Sequence, residues 1–186
     1  MKIFTSLAAL LAVALVTACG ETPDDSHLQE KVINGFYQQH IKTHSLGIPG
    51  PDELRQLQPF LSPVLFALLS KASDAEARYH AGATDHALPP LVDGDLFTSL
   101  FEGATSFALD SCESANARAS CTVRFRYQAD DKGNNGASDE SWRDKLLLVK
   151  DKQQWRIDDI EFVGNSQSSQ TEYLTDTLNS IVNDYQ

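Results

Sequence analysis

The chain has 186 residues, 41% of them hydrophobic, with 15 basic against 26 acidic side chains and a formal net charge of −11. This acidity opposes nucleic-acid binding, which needs cations to displace phosphate counterions, and opposes electrostatic attraction to anionic lipid. The apolar share is that of a globular protein rather than a disordered one, and the length suits one domain.

Lys2 and the α-amino group give a short positive start, and Ile3 to Val16 is apolar apart from Thr5 and Ser6. A helix needs about 20 apolar residues to span a bilayer, so this run is short for a permanent anchor. A charged start, a short apolar run and a small-residue cleavage site describe a secretory signal. The cleavage region, Val16-Thr17-Ala18-Cys19, resembles the bacterial lipobox. That resemblance implies removal of residues 1–18 and a mature chain beginning at a lipid-modified Cys19; the other reading is an ordinary secretory signal that contains a cysteine. Lipoproteins of this kind carry three acyl chains. Each buried methylene contributes about 0.8 kcal/mol, and two chains already hold stably. Gly20 stands where an Asp would favour inner-membrane retention, which points to the outer membrane, facing the periplasm. Residues 19–27 are expected to be the lipidated cysteine and a polar tether, Glu21 to Asp25, and residues 28–186 a single domain. Without residues 1–18 the chain has 14 basic and 26 acidic side chains, net −12.

Ser26 with Gln29 suggests a capping box. It opens a helix with Leu28, Val32, Phe36 and His40 on one stripe, Ile33, Tyr37 and Ile41 beside it, and an end near His44 to Gly47. Ile48-Pro49-Gly50-Pro51 reads as a rigid turn, with a short helix at Asp52 to Leu57. Ser62-Pro63 caps a second long helix whose expected buried face is Val64, Leu65, Leu68, Leu69 and Ala72. Residues 74–92 read as a long loop, suited to a lid or partner surface.

From Phe101 the period changes. Thr105 to Leu109 and Cys121 to Tyr127 read as strands, the second with Val123, Phe125 and Tyr127 on its apolar face. Gln128 to Ser141 reads as an acidic, Gly- and Asn-rich loop. Lys145–Lys150 and Gln154–Val163 read as two strands joined at Asp151-Lys152-Gln153. In the last strand Trp155 and Ile157 fall out of phase with Ile160 and Phe162, which predicts a β-bulge at Asp158-Asp159. A final helix from about Gln170 to Asp184 has Leu174, Leu178, Ile181 and Tyr185 on its stripe. Helices followed by an antiparallel meander give an α+β domain.

In an oxidising compartment the remaining cysteines, Cys112 and Cys121, are most simply a disulfide, with Glu113 to Ala119 as a hairpin tip. Metal binding is the rival, but C-x8-C without a nearby His is poor ligand spacing.

Several segments resemble the YbjP-like lipoproteins, a family filed as a domain of unknown function and related to the NTF2-like folds. They are Phe36-Tyr37, Pro59-Phe60-Leu61-Ser62, Leu65, Leu68-Leu69-Ser70, Ala72-Ser73, Trp142 with Asp144 and Leu146, and Trp155-x-Ile157-Asp158-Asp159-Ile160 ending at Gly164. The likeness runs from about residue 30 to 164 with a gap through 110–140. It implies N-terminal helices packed on a curved antiparallel sheet at the outer membrane, and no catalytic residue. Two departures stand out: the family's Asp-Pro-Phe is Asp95-Leu96-Phe97, and the Cys112/Cys121 pair lies outside its pattern.

Asp158 and Asp159, beside Tyr127 or Trp142, are the candidate ligand-binding set: adjacent carboxylates facing a cavity can work as acid and base. The structural alternative is that they pin the bulge through backbone or Arg hydrogen bonds. His40 and His44 have i, i+4 metal spacing but no third ligand, and histidines suit a helix C-terminus. Asp130 to Gly136 looks like a calcium loop but lacks the bidentate glutamate, which favours a solvated turn. Trp142, Trp155 and Phe162 suit a core better than a ligand platform. No G-x-S-x-G, P-loop or dinucleotide fingerprint is present, so no cofactor, metal or catalytic residue is expected. The leading expectation is a non-catalytic module held to the membrane through acyl chains on Cys19 and binding another envelope protein, with loops 74–92 and 128–141 as contact surfaces. The alternatives are a small-molecule-binding NTF2-like domain, with or without enzymatic activity, and a structural lipoprotein for envelope integrity.

Overall fold

A computed structural model describes residues 23–82, 88–129, 139–164 and 171–185. The first helix, α1 (Pro23–Thr43), starts ahead of the expected cap, so Ser26 lies inside it and residues 23–27 are helical rather than a tether. Proline suits a first helical turn because that N–H would have no partner. Asp25 then fixes the start to the sheet: Lys150 Nζ lies 2.6 Å from its Oδ1, and Trp155 Nε1 donates to the same oxygen at 3.2 Å. The Lys150 hydrogen bond, chiefly, holds the Asp25 carboxyl below its ordinary value of 3.8 against the opposing effect of burial. Ile33, Phe36, Tyr37 and His40 are buried on the expected side of α1. The helix stops as His44 turns to φ 46, a left-handed conformation that breaks the hydrogen-bond ladder.

Helix α2 (Pro51–Leu57) runs into one turn of 3-10 helix, Gln58–Phe60. Ser62 then caps α3 (Pro63–Ala81), its Oγ accepting from Leu65 N at 3.0 Å. The second helix is longer than its apolar pattern suggested: residues 74–81, expected as loop, continue it. Its buried stripe is Leu65, Leu69, Ala72 and Ala75, while Val64 is 70% exposed, contrary to expectation. Val64 sits one residue before Leu65, at the edge of this stripe and in the first turn of the helix. Ala72 and Ala75 are small enough to let a neighbouring helix approach closely.

The sheet is a five-stranded antiparallel meander in sequence order: β1 (Ser106–Ala115), β2 (Arg118–Tyr127), β3 (Glu140–Asp151), β4 (Gln154–Phe162) and β5 (Glu172–Tyr173). β1 runs past Leu109 to Ala115, so the expected tip narrows to Asn116-Ala117. β3 starts at Glu140, shortening the expected 128–141 loop at its far end, and the acidic segment 130–136 lies outside the described residues. Lys152 and Gln153, both at positive φ, make the two-residue turn into β4. The bulge is where the phase break placed it: Leu147 pairs with Asp159 and Leu148 with Ile157, leaving Asp158 as the extra residue.

Cys112 pairs directly with Cys121, Cα–Cα 4.0 Å, and the two form the expected disulfide. Closing so short a loop restricts the unfolded chain, and reduction is expected to cost about 2.5–3 kcal/mol. Denaturant unfolding with and without reductant measures this directly; coincident curves would contradict it.

The last helix, α4 (Leu174–Asp184), buries Leu174, Leu178 and Ile181 against α3 and β4, but Tyr185 is 40% exposed and lies edge-on to Tyr79 rather than in the core. The helices cover one face of the sheet. There lie Cys121, Val123 and Phe125 of β2, Trp142, Leu146 and Leu148 of β3, and Trp155, Ile157 and Ile160 of β4, all buried. Both tryptophans are core residues, as expected, and Phe162 is half-buried. Alternation sends Arg118, Arg124 and Arg126 of β2, Arg143 and Lys145 of β3 and Arg156 of β4 to the open face. Asp110 meets Arg124 and Arg143 at that face, and Lys145 meets Glu161. Exposed pairs of this kind contribute little to stability.

Candidate functional site

The four residues expected to share a ligand site are separated by the sheet itself. Trp142 is buried, and Tyr127 half-buried, on the helix side. Asp158 and Asp159 oppose Leu147 on the open side, which corrects the expectation of one constellation. Asp159 pins structure: its Oδ1 accepts from Ile160 N at 2.8 Å and Thr175 N at 3.0 Å, and Thr175 Oγ1 donates to Oδ2 at 2.6 Å. It thus locks the bulge and satisfies a free N–H at the start of α4. Asp158 lines a groove of about 450 Å³ with Glu113, Arg118, Leu147 and Val149, a shallow part of the open face. Cys19 lies outside the described residues.

Two buried carboxylates that were not singled out as a site organise the other end of the molecule. Asp144 falls on the apolar phase of β3, between Trp142 and Leu146, and is fully buried. Its Oδ2 accepts from Ser99 N and Trp142 Nε1, each at 3.0 Å. Its Oδ1 accepts from Val163 N at 2.9 Å, Gly164 N at 3.0 Å and the Ser99 hydroxyl. One side chain therefore joins the loop before β1, the start of β3 and the end of β4.

Asp95 holds the same loop to α1. Its Oδ1 accepts from Phe97 N at 2.6 Å and Thr98 N at 2.9 Å, and its Oδ2 lies 2.8 Å from His40 Nε2. The turn that the missing proline put in doubt is thus formed by the aspartate's own side chain. Gly103, at φ 76, passes so close that a Cβ there would sit 2.5 Å from Asp95 Oδ2, so only glycine fits. His40 Nε2 is engaged by Asp95, and His44 ends the helix. Among the described residues no group of three or more His, Cys, Asp or Glu side chains could hold a metal ion.

Tyr37 sits between these carboxylates and donates to Phe97 O at 3.1 Å. Burial, then the charges of Asp144 and Asp95, push its phenol well above the ordinary value of 10.0. A raised folded value means the resulting stability is intact below about pH 10 and is lost as pH rises through the folded value. Of the chain's five tyrosines, Tyr37 is therefore expected to ionise last, together with alkaline unfolding, in an ultraviolet titration. Its ionisation in step with the other four would contradict this environment.

Beside Asp95 lies a cleft of about 200 Å³ lined by His40, His44, Ser45, Leu46 and Glu102, among others. His40 Nδ1 is buried without a partner. A histidine held through one nitrogen by a carboxylate is the arrangement of a general base, but the neighbouring Ser45 hydroxyl donates to Glu53 Oε2 at 2.6 Å and is not presented to it. Leu46, 53% exposed, lines this cleft with the exposed His44 and Glu102, and Phe101, 55% exposed, stands just before Glu102. Leu46 and Phe101 share one loop cluster, since Gly47 N donates to Gly94 O at 2.7 Å and the Phe101 ring lies over Gly94.

Comparison with known protein families, characterised proteins and solved structures returned no match. No helix among the described residues is long and apolar enough to cross a membrane.

Proposed function

We propose that this chain is an outer-membrane-anchored, periplasm-facing lipoprotein whose folded part is a non-catalytic docking module for another envelope protein. The supporting observation is the pinned loop cluster at the C-terminal end of α1. Asp95 and Asp144 immobilise the loop that presents Phe101 to solvent, and Gly47 N, bonded to Gly94 O, sets the exposed Leu46 beside it. Rigidly held, exposed apolar side chains around a small cleft suit a binding hot spot, because little freedom is lost on contact. Helix α1 has 21 residues and rises 1.5 Å per residue, so it puts roughly 30 Å between the anchored start and this end. The contact surface moves accordingly from the 74–92 and 128–141 loops to residues 94–103 and Leu46. The same reading takes the domain as YbjP-like and its fold as NTF2-like. Support comes from the Trp155-x-Ile157-Asp158-Asp159-Ile160 motif with its bulge, and from the helices preceding a meander.

Site-specific photo-crosslinking in the native envelope tests it. A crosslinker at Phe101 or Leu46 is expected to capture one discrete envelope protein, and one at Val64, still more exposed but elsewhere, is not. The same adducts from all three positions, or none from Phe101 and Leu46, would overturn the proposal. A small-molecule-binding role is the second reading, favoured by the unpartnered His40 Nδ1 beside the cleft. Fragment titration followed by NMR, with shifts converging on His40, His44 and Glu102, would support it; shifts scattered over the surface would end it.

A further inference from the structure

At the other end of α1 a groove of about 310 Å³ runs between the helix and the β3–β4 turn, lined by Leu28, Val32, Pro59, Phe60 and Trp155, with Lys31, Gln153, Gln154 and Arg156 among its rim residues. Leu28, Val32 and Phe60 are only half-buried, although they belong to the apolar pattern of their segments. The groove has a specific shape: Gly35 leaves room for the Phe60 ring, whose Cε1 would lie 2.3 Å from any Cβ added there. Asp25, bonded to Lys150 and Trp155, fixes the start of α1 beside it.

We infer that this groove shelters one acyl chain of the protein's own lipidated Cys19 whenever the chain is not in a bilayer. The inference rests on the lipoprotein reading above. Three residues separate Cys19 from the Pro23 end of α1; the four Cα–Cα steps span at most roughly 14 Å. Leu28 lies about 7.5 Å and Val32 about 13.5 Å along the helix from Pro23. A long alkyl chain starting from Cys19 therefore reaches the groove by folding back once. The driving force is removal of methylenes from water, about 0.8 kcal/mol each. A bilayer buries the whole chain and so outcompetes a short groove, which leaves the seat empty once the protein is anchored.

The test uses the mature chain, residues 19–186, with its disulfide intact and the Cys19 thiol alkylated by a long chain bearing a nitroxide at its methyl end. Paramagnetic broadening in an amide NMR spectrum is expected at Val32, Phe60, Gln154 and the Trp155 indole. It should be at least twofold stronger than at Leu46 and Phe101. A nitroxide on a short linker at Cys19 should broaden Phe60 and Gln154 less than the long chain does, and the Leu28→Arg, Val32→Arg variant should reduce the long-chain effect to that level. Uniform broadening, or a long-chain excess that survives the two arginines, would overturn the inference. An unmodified Cys19 in protein from its native host would instead defeat the lipoprotein reading, and leaves the outcome of this experiment unchanged.

Discussion

Replacing Asp144 with alanine is expected to lower folding stability by about 4 kcal/mol, a large fraction of what a domain of ordinary stability has. The carboxylate accepts from five donors contributed by Ser99, Trp142, Val163 and Gly164, and it is fully buried. Truncation leaves Trp142 Nε1 and Val163 N without partners, while Gly164 N keeps Arg143 O and the exposed Ser99 can turn to water; each buried unsatisfied group costs about 1–3 kcal/mol. Water entering the space recovers part of this, which keeps the loss below the simple sum. Asp144→Asn retains an acceptor and is expected to lie between the two. Denaturant unfolding decides the matter: a loss under 1 kcal/mol for the alanine variant would show that the loop is held by other contacts. A loosened loop should also weaken crosslinking from Phe101, tying the buried carboxylate to the docking end.

Cys19→Ser is expected to remove the protein from the outer-membrane fraction by more than tenfold without changing the fold. The residue precedes α1 in sequence, and the disulfide joins Cys112 to Cys121, so the replacement removes no contact of the described domain. The expected contribution of Cys19 is the transfer energy of acyl chains. The net charge of −11 repels anionic lipid, and no described helix spans a bilayer. Fractionation of native-host cells with antibody detection measures the change. Retention of the serine variant in the outer membrane would mean that protein contacts, not lipid, do the anchoring.

Much of the fold is readable from residue types with a single strong local role. Ser62-Pro63 marks the start of α3 because a hydroxyl and a proline both suit a helix N-terminus. The phase break at Asp158-Asp159 marks the bulge because alternation has no other way to slip. The α+β class follows from the change of period near Phe101. The misses share a cause: where apolar side chains thin out, pattern carries little information. The segment Ser73 to Ala81 is small and polar, yet tertiary packing against α4 keeps it helical. Ser111 to Ala115 lacks an apolar face, yet pairing with β2 keeps it extended, and the Cys112–Cys121 register was its one clue. Val64 and Tyr185 were placed inward by pattern, but Val64 stands in the first turn of α3 and Tyr185 follows the last helical residue of α4, where the packed neighbours end.

The site was less readable. Asp95 and Asp144 are far apart in sequence and act on the same loop through backbone donors, which no spacing rule encodes. The usable signal was a charged residue on the apolar phase of β3, since a buried carboxylate must find donors. His40 looked like half of a metal pair because i, i+4 spacing is visible in sequence, whereas its partner 55 positions away is not. Asp158 and Asp159 drew attention as adjacent acids, but in a sheet the neighbours that matter are across the strand, and Tyr127 and Trp142 point the other way.

Intact-mass spectrometry of the protein from its native host, with sequencing of its N-terminal peptide, addresses the anchoring most directly. The expected result is a chain beginning at Cys19, with residues 1–18 gone and a mass increment equal to a diacylglyceryl group and a third acyl chain. A chain retaining Met1 to Ala18, or beginning at a Cys19 of unmodified mass, would contradict it.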